Sequence, residues 1–97
     1  MRVEFLTEAA LELQAAVQWY DSREPGLGGR FKDAAAGIVL RIQQNPLVGP
    51  EDKAGVRRAN CRVFPYYLAY VVREETVLIL AVAHQRRRPF YWKENSR

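Results

Sequence analysis

The side chains in this sequence with chemistry to offer are few and gather late. Ala83-His84-Gln85-Arg86-Arg87-Arg88-Pro89-Phe90-Tyr91-Trp92 brings one imidazole, three consecutive guanidinium groups, a phenol and an indole into ten residues. Upstream, Arg57, Arg58 and Arg62 add three more guanidinium groups around Cys61. A guanidinium fork pairs with phosphate or carboxylate through two parallel hydrogen bonds, and aromatic rings beside it give bases a stacking surface. Arg57, Arg58, Arg62, Arg86, Arg87, Arg88 and Trp92 therefore make a candidate surface for an anionic target. In an RNA-cleaving site, Arg87 and its neighbours would stabilise the charged phosphorane while His84 or Tyr91 moved protons. The reference pKa of ~6.5 for histidine suits that task. A plainer reading stands beside it: a structural histidine at a strand end, tyrosines and Trp92 closing the core, and an arginine run in solvent. If the strand before His84 continues, His84, Arg86 and Arg88 face one way and Gln85 and Arg87 the other.

Other chemistries find little material. With one cysteine and one histidine, no cluster of soft metal ligands can be assembled, so no metal site is expected. Cys61 paired with His84 as a nucleophile is weaker than Cys61 as a buried thiol. Pro25-Gly26-Leu27-Gly28-Gly29 precedes a helix but lacks the spacing and the lysine of a phosphate-binding loop, and no cofactor is expected. The longest apolar run, Thr76 to Ala83, falls far short of the ~18 residues of a membrane helix. Met1 to Phe5 lacks the layout of a signal peptide, which points to a cytoplasmic protein with no membrane partner.

Ninety-seven residues suit one domain, 1–97. The net charge of +4 is unevenly spread. Residues 1–56 hold six basic and eight acidic side chains, a net −2, whereas residues 57–97 hold nine and three, a net +6. Almost all of the excess is arginine, which favours a nucleic acid or an acidic protein segment as partner.

These groups need a scaffold, and the hydrophobic periods supply one. Arg2 to Phe5 reads as a short strand. Thr7 is placed to cap the next helix, with Glu8 in its first turn. Leu6, Ala9, Ala10, Leu13, Val17 and Tyr20 form the apolar stripe, which leaves Glu8, Glu12 and Gln18 to solvent. After the Pro- and Gly-rich link at 21–29, a second helix buries Leu27, Phe31, Ala35, Ile38 and Ile42. Its small run Ala34 to Gly37 predicts a close neighbour, and Asn45-Pro46 ends it. Residues 47–55 read as loop. Val56 to Phe64, Tyr67 to Val72 and Thr76 to Ala83 read as strands, the last covered on both faces. Ile38 and Leu13 belong to the expected core. The result is an α+β fold of order β-α-α-β-β-β, a helical hairpin packed on one face of a small, mostly antiparallel sheet.

On that frame the sequence resembles the RelE/ParE superfamily of toxins from type II toxin–antitoxin systems, and most of all its ParE, or plasmid stabilisation, branch. The likeness rests on Trp19-Tyr20, Pro25-Gly26-Leu27-Gly28 with Arg30-Phe31, and Ile42 through Asn45-Pro46. It continues in Val56-Arg57-Arg58, Phe64-Pro65-Tyr66 with Tyr70, and Ala81-Val82-Ala83-His84 with Arg87, Pro89, Tyr91 and Trp92. The resemblance implies a growth-arresting toxin held in a hetero-oligomer by a cognate antitoxin. ParE-like members act on DNA gyrase and RelE-like members cut mRNA on the ribosome. For the second group the likeness would assign proton transfer to His84 or Tyr91, and phosphate stabilisation to Arg57, Arg58 or Arg62 together with Arg86 to Arg88. The Pro89-Phe90-Tyr91-Trp92 ending is ParE-like, so a gyrase inhibitor is the expected function and a ribosome-dependent endoribonuclease the first alternative. A non-toxic nucleic-acid or protein-binding module is the second. Whether the chain is an enzyme turns on that choice.

Overall fold

A computed structural model of the chain describes residues 1–87 and 91–94. Strand β1 (Arg2–Phe5) is followed by helices α1 (Thr7–Arg23) and α2 (Leu27–Gln44), then by β2 (Arg57–Asn60), β3 (Tyr66–Arg73) and β4 (Thr76–His84), and by a 3-10 turn at Tyr91–Glu94. The sheet order is β1-β4-β3-β2. β4 pairs antiparallel with β3 and parallel with β1, and β2 pairs antiparallel with β3. The α+β fold and its helical hairpin match the sequence reading.

β4 is apolar on both sides because both of its faces are covered. Val77, Ile79 and Val82 meet the helices through Ala9, Ala16, Tyr20, Phe31, Ile38 and Ile42. Leu80, Ala81 and Ala83 lie on the opposite face with Val56, Tyr67, Ala69 and Val71, under Tyr91 and Trp92. Two adjacent residues, Leu80 and Ala81, can share that face because the register shifts there: Ala69 faces Ala81 while Tyr70 faces Ile79, so Leu80 is an extra residue in β4.

Several local expectations need correction. Thr7 does not cap α1. The cap position is Leu6, with no side-chain cap, because β1 runs straight into the helix and the Leu6 N–H is still donated to the Ile79 carbonyl. Regular pairing of β2 covers Arg57–Asn60 rather than 56–64, since the chain turns back through Phe64 and Pro65 to start β3. Ile38 is buried as expected, whereas Leu13 is only half-buried and lines the rim between the helices. The small residues of α2 do not all mark a close approach: Gly37 faces open space, and the tight contact lies at Gly28. There a Cβ would overlap the Val17 carbonyl oxygen of α1, and the Gly28 N–H is donated to Asp21 Oδ1 at 2.7 Å. The first turn of α2 is thus capped by a carboxylate from α1, which closes the hairpin.

Candidate functional site

β4 passes its last residues beyond the end of β1, and that length difference creates the site. β1 stops pairing at Phe5, with one further bond from Leu6 to Ile79. The extra residue Leu80 reverses the phase of β4, so the Val82 N–H turns towards the edge that β1 has left. Glu12 fills the gap: its Oε1 accepts the Val82 N–H at 3.0 Å. Its Oε2 accepts the phenol O–H of Tyr91 and lies 3.4 Å from Arg87 Nη1. The expectation that Glu12 faces solvent is therefore wrong. The signal was in the spacing: Ala9, Glu12, Ala16 and Tyr20 recur at three- and four-residue steps, and the stripe that meets the sheet runs through the carboxylate.

Around this carboxylate the C-terminal residues form a chain of rings and cations. The Arg87 guanidinium lies 3.7 Å from the centre of the Tyr91 ring. Tyr91 meets Trp92 edge-on at 5.3 Å, and Trp92 is wholly buried against Tyr67 at 5.8 Å. Arg58 covers both Tyr67, at 4.9 Å, and Trp92, at 5.4 Å. Arg58 and Arg87 thus flank one aromatic pair.

The remaining arginines do not join a single patch. Arg57 faces Tyr70 across β2 and β3, while Arg58 faces Ala69, so alternation along the strand sends the two to opposite faces. Arg57 is a structural stitch: it donates to the Gly49 carbonyl at 2.7 Å and pairs with Glu51 at 3.0 Å. Tyr70 helps it, donating to the Pro46 carbonyl and accepting the Gly49 N–H. Arg62 is exposed in the link between β2 and β3, and Arg86 is exposed just after β4. Arg88, expected beside them, lies outside the described residues, as do Pro89 and Phe90. The expected alternation from His84 through Arg87 fails because β4 ends at His84 and a turn follows, in which Arg87 donates its N–H to the His84 carbonyl.

His84 lines an open groove of about 520 Å³ with Glu12, Trp19, Tyr66, Val82 and Arg87. Its Nδ1 accepts the Arg86 N–H at 3.0 Å, which leaves Nε2 facing away from that bond. Its ring sits edge-on to Tyr66 at 5.1 Å. Half-exposed Trp19 closes the far side beneath Arg23, whose guanidinium is 4.6 Å from the ring centre. Burial, then the hydrogen bond to the Glu12 carboxylate and its charge, push the Tyr91 phenol well above its ordinary value, against a smaller opposing pull from Arg87. Tyr66 is raised by burial and by the Glu12 charge. Cys61 is a buried core thiol whose N–H is donated to the Tyr66 carbonyl. Among the described residues no three His, Cys, Asp or Glu side chains converge as a metal site, and no helix is long and apolar enough to cross a membrane.

This geometry gathers a basic and aromatic band from Arg58 to Arg87, tied to α1 by one carboxylate, beside a groove with an exposed indole. Comparison with known proteins gives it a context. No curated protein matches the sequence. A solved structure, the chromosomal ParDE TA system from P. aeruginosa, superposes with a TM-score of 0.66 over 87% of this chain and 95% of that one. The identity is 20%, so that likeness speaks for the fold. Residues 3–89 match the family described as the ParE toxin of the type II toxin-antitoxin system parDE. With nearly its whole length matched, the chain belongs to the ParE toxin family.

Proposed function

We propose that this chain arrests growth by binding and inhibiting DNA gyrase, and that a cognate antitoxin neutralises it in a cytoplasmic hetero-oligomer. One observation carries the choice of inhibitor over nuclease: the Tyr91 phenol donates to Glu12 and is held protonated. An RNA-cleaving site needs one group to take a proton from the attacking hydroxyl and another to protonate the leaving oxygen. Tyr91 with a raised pKa does neither well and Glu12 is already engaged by three donors, so His84, held through Nδ1 and open only at Nε2, has no second group to share the two proton transfers. Arg58 and Arg87 then serve contact with the target, with exposed Arg62 and Arg86 at the rim and Arg88 in the same run of sequence; Trp92, expected to join them, is wholly buried and instead backs the band from the core. The groove beside Trp19, with His84 and Arg87 on its edge, suits an acidic, amphipathic stretch of the antitoxin.

Induced expression of the chain, with and without the adjacent reading frame, tests this reading. The expected result is growth arrest with intact transcripts, relieved when the neighbour is co-expressed. Codon-associated mRNA cuts would replace it with the RelE-like endoribonuclease, and healthy growth with the non-toxic binding module.

A further inference from the structure

Glu12 is the one carboxylate that ties α1, the open end of β4 and the C-terminal residues together among the contacts described. We infer that Glu12 is the positioning residue of the C-terminal segment: a single carboxylate on α1 fixes Arg87 and Tyr91, and through Tyr91 the placement of Trp92. The consequence for target contact rests on the function proposed above, but the positioning itself does not.

The arrangement has the marks of a built device. The Val82 N–H is buried and faces an edge without a strand, so it needs an acceptor from elsewhere. Ala9 and Ala16 on either side of Glu12 are small and buried, which lets α1 lie close enough for a glutamate to reach that edge. Having satisfied Val82 with Oε1, the carboxylate presents Oε2 to Tyr91 and Arg87. Both contacts are charge-assisted, and the Arg87 guanidinium also stacks on the Tyr91 ring, so each partner restrains the other. Glu12 itself is mostly shielded, with 19% of its side chain exposed, which limits competition from water.

Glu12→Gln separates positioning from simple support of β4. The amide oxygen can still accept the Val82 N–H, while the amide N–H2 group that replaces Oε2 cannot hold a guanidinium. In a Trp19→Phe background Trp92 is the sole tryptophan. We expect Glu12→Gln to shift Trp92 emission to the red and to speed tryptic cleavage after Arg86 and Arg87 by roughly tenfold, the weight of a lost charge-assisted hydrogen bond, with an unchanged far-UV spectrum. Tyr91→Phe should act in the same direction, and the double variant should add little to Glu12→Gln alone. Unaltered emission and cleavage in both single variants would overturn the assignment. If Glu12→Gln fails to fold, Tyr91→Phe, which leaves the Glu12–Val82 bond in place, decides by the same two readouts. Supercoiling assays distinguish the two proposals. If the unmutated chain inhibits gyrase and a released Glu12→Gln segment inhibits it equally, the role of Glu12 in target contact is wrong. If the unmutated chain does not inhibit, the gyrase reading falls, while emission and cleavage still decide on Glu12.

Discussion

Tyr91 carries a pH signature that its partners impose. Because the folded state holds the phenolic proton more tightly than the unfolded chain, whose tyrosines ionise near pH 10, the stabilisation is complete below about pH 10 and is lost as pH rises beyond it. Tyr20, Tyr66 and Tyr67 are also raised, chiefly by burial, and steepen the same alkaline limb. Denaturant titrations across that limb should show Tyr91→Phe falling less steeply than the unmutated chain, by about 1.4 kcal/mol per pH unit for one linked proton. At neutral pH the same variant should be less stable by about 1–2 kcal/mol, for the hydrogen bond to Glu12. Parallel curves would mean that the phenol is not held as described. Tyr91, Arg87 and His84 could be picked from the sequence because basic and aromatic residues crowd there. Glu12 could not be picked from residue type alone, since a glutamate on a helix is ordinarily solvated. Only the phase of Ala9, Ala16 and Tyr20 betrays it, and that phase is masked by the bulkier Leu13 and Val17 one step away.

The helical hairpin offers a matched pair of glycines at the scale of elements. Gly37 lies exposed inside α2 with nothing within 4 Å of a Cβ, so Gly37→Ala should stabilise the protein by about 0.5–1 kcal/mol through helix propensity. Gly28 lies in the first turn against α1, where a Cβ would come within 2.6 Å of the Asp21 carboxyl carbon and closer still to the Val17 carbonyl. Gly28→Ala should therefore destabilise by about 1–3 kcal/mol, and thermal melts of the two variants should move in opposite directions. Movement of both in one direction would contradict the hairpin contact. The helices and β4 were legible because each carries its period over many residues. The short elements were not: β2 pairs over only four residues, and Thr7 loses its cap role because the sheet claims Leu6, a long-range effect invisible to local patterning. The β4 irregularity at Leu80 was equally hidden, since an all-apolar strand looks the same with or without an extra residue.

For the whole molecule, the excess of positive charge in residues 57–97 points to an anionic partner, yet folding divides that charge. Arg57 is spent on the 45–51 loop, Arg87 is shared with Glu12, and Arg58 stacks on the aromatic pair. What the sequence presents as one basic run becomes a narrow band around Tyr91 and Trp92, because alternation along β2 parts Arg57 from Arg58 and a turn after His84 sets Arg87. The family and fold were readable because motifs spread along nearly the whole chain agree with one another, whereas the target depends on a few side chains whose contacts only the fold reveals. The most direct measurement is therefore supercoiling of relaxed plasmid by purified gyrase as the purified chain is titrated in. Loss of supercoiling is expected, weakening with Arg87→Ala and fading as salt rises. Full supercoiling at high molar excess of a folded, unmutated chain would contradict it.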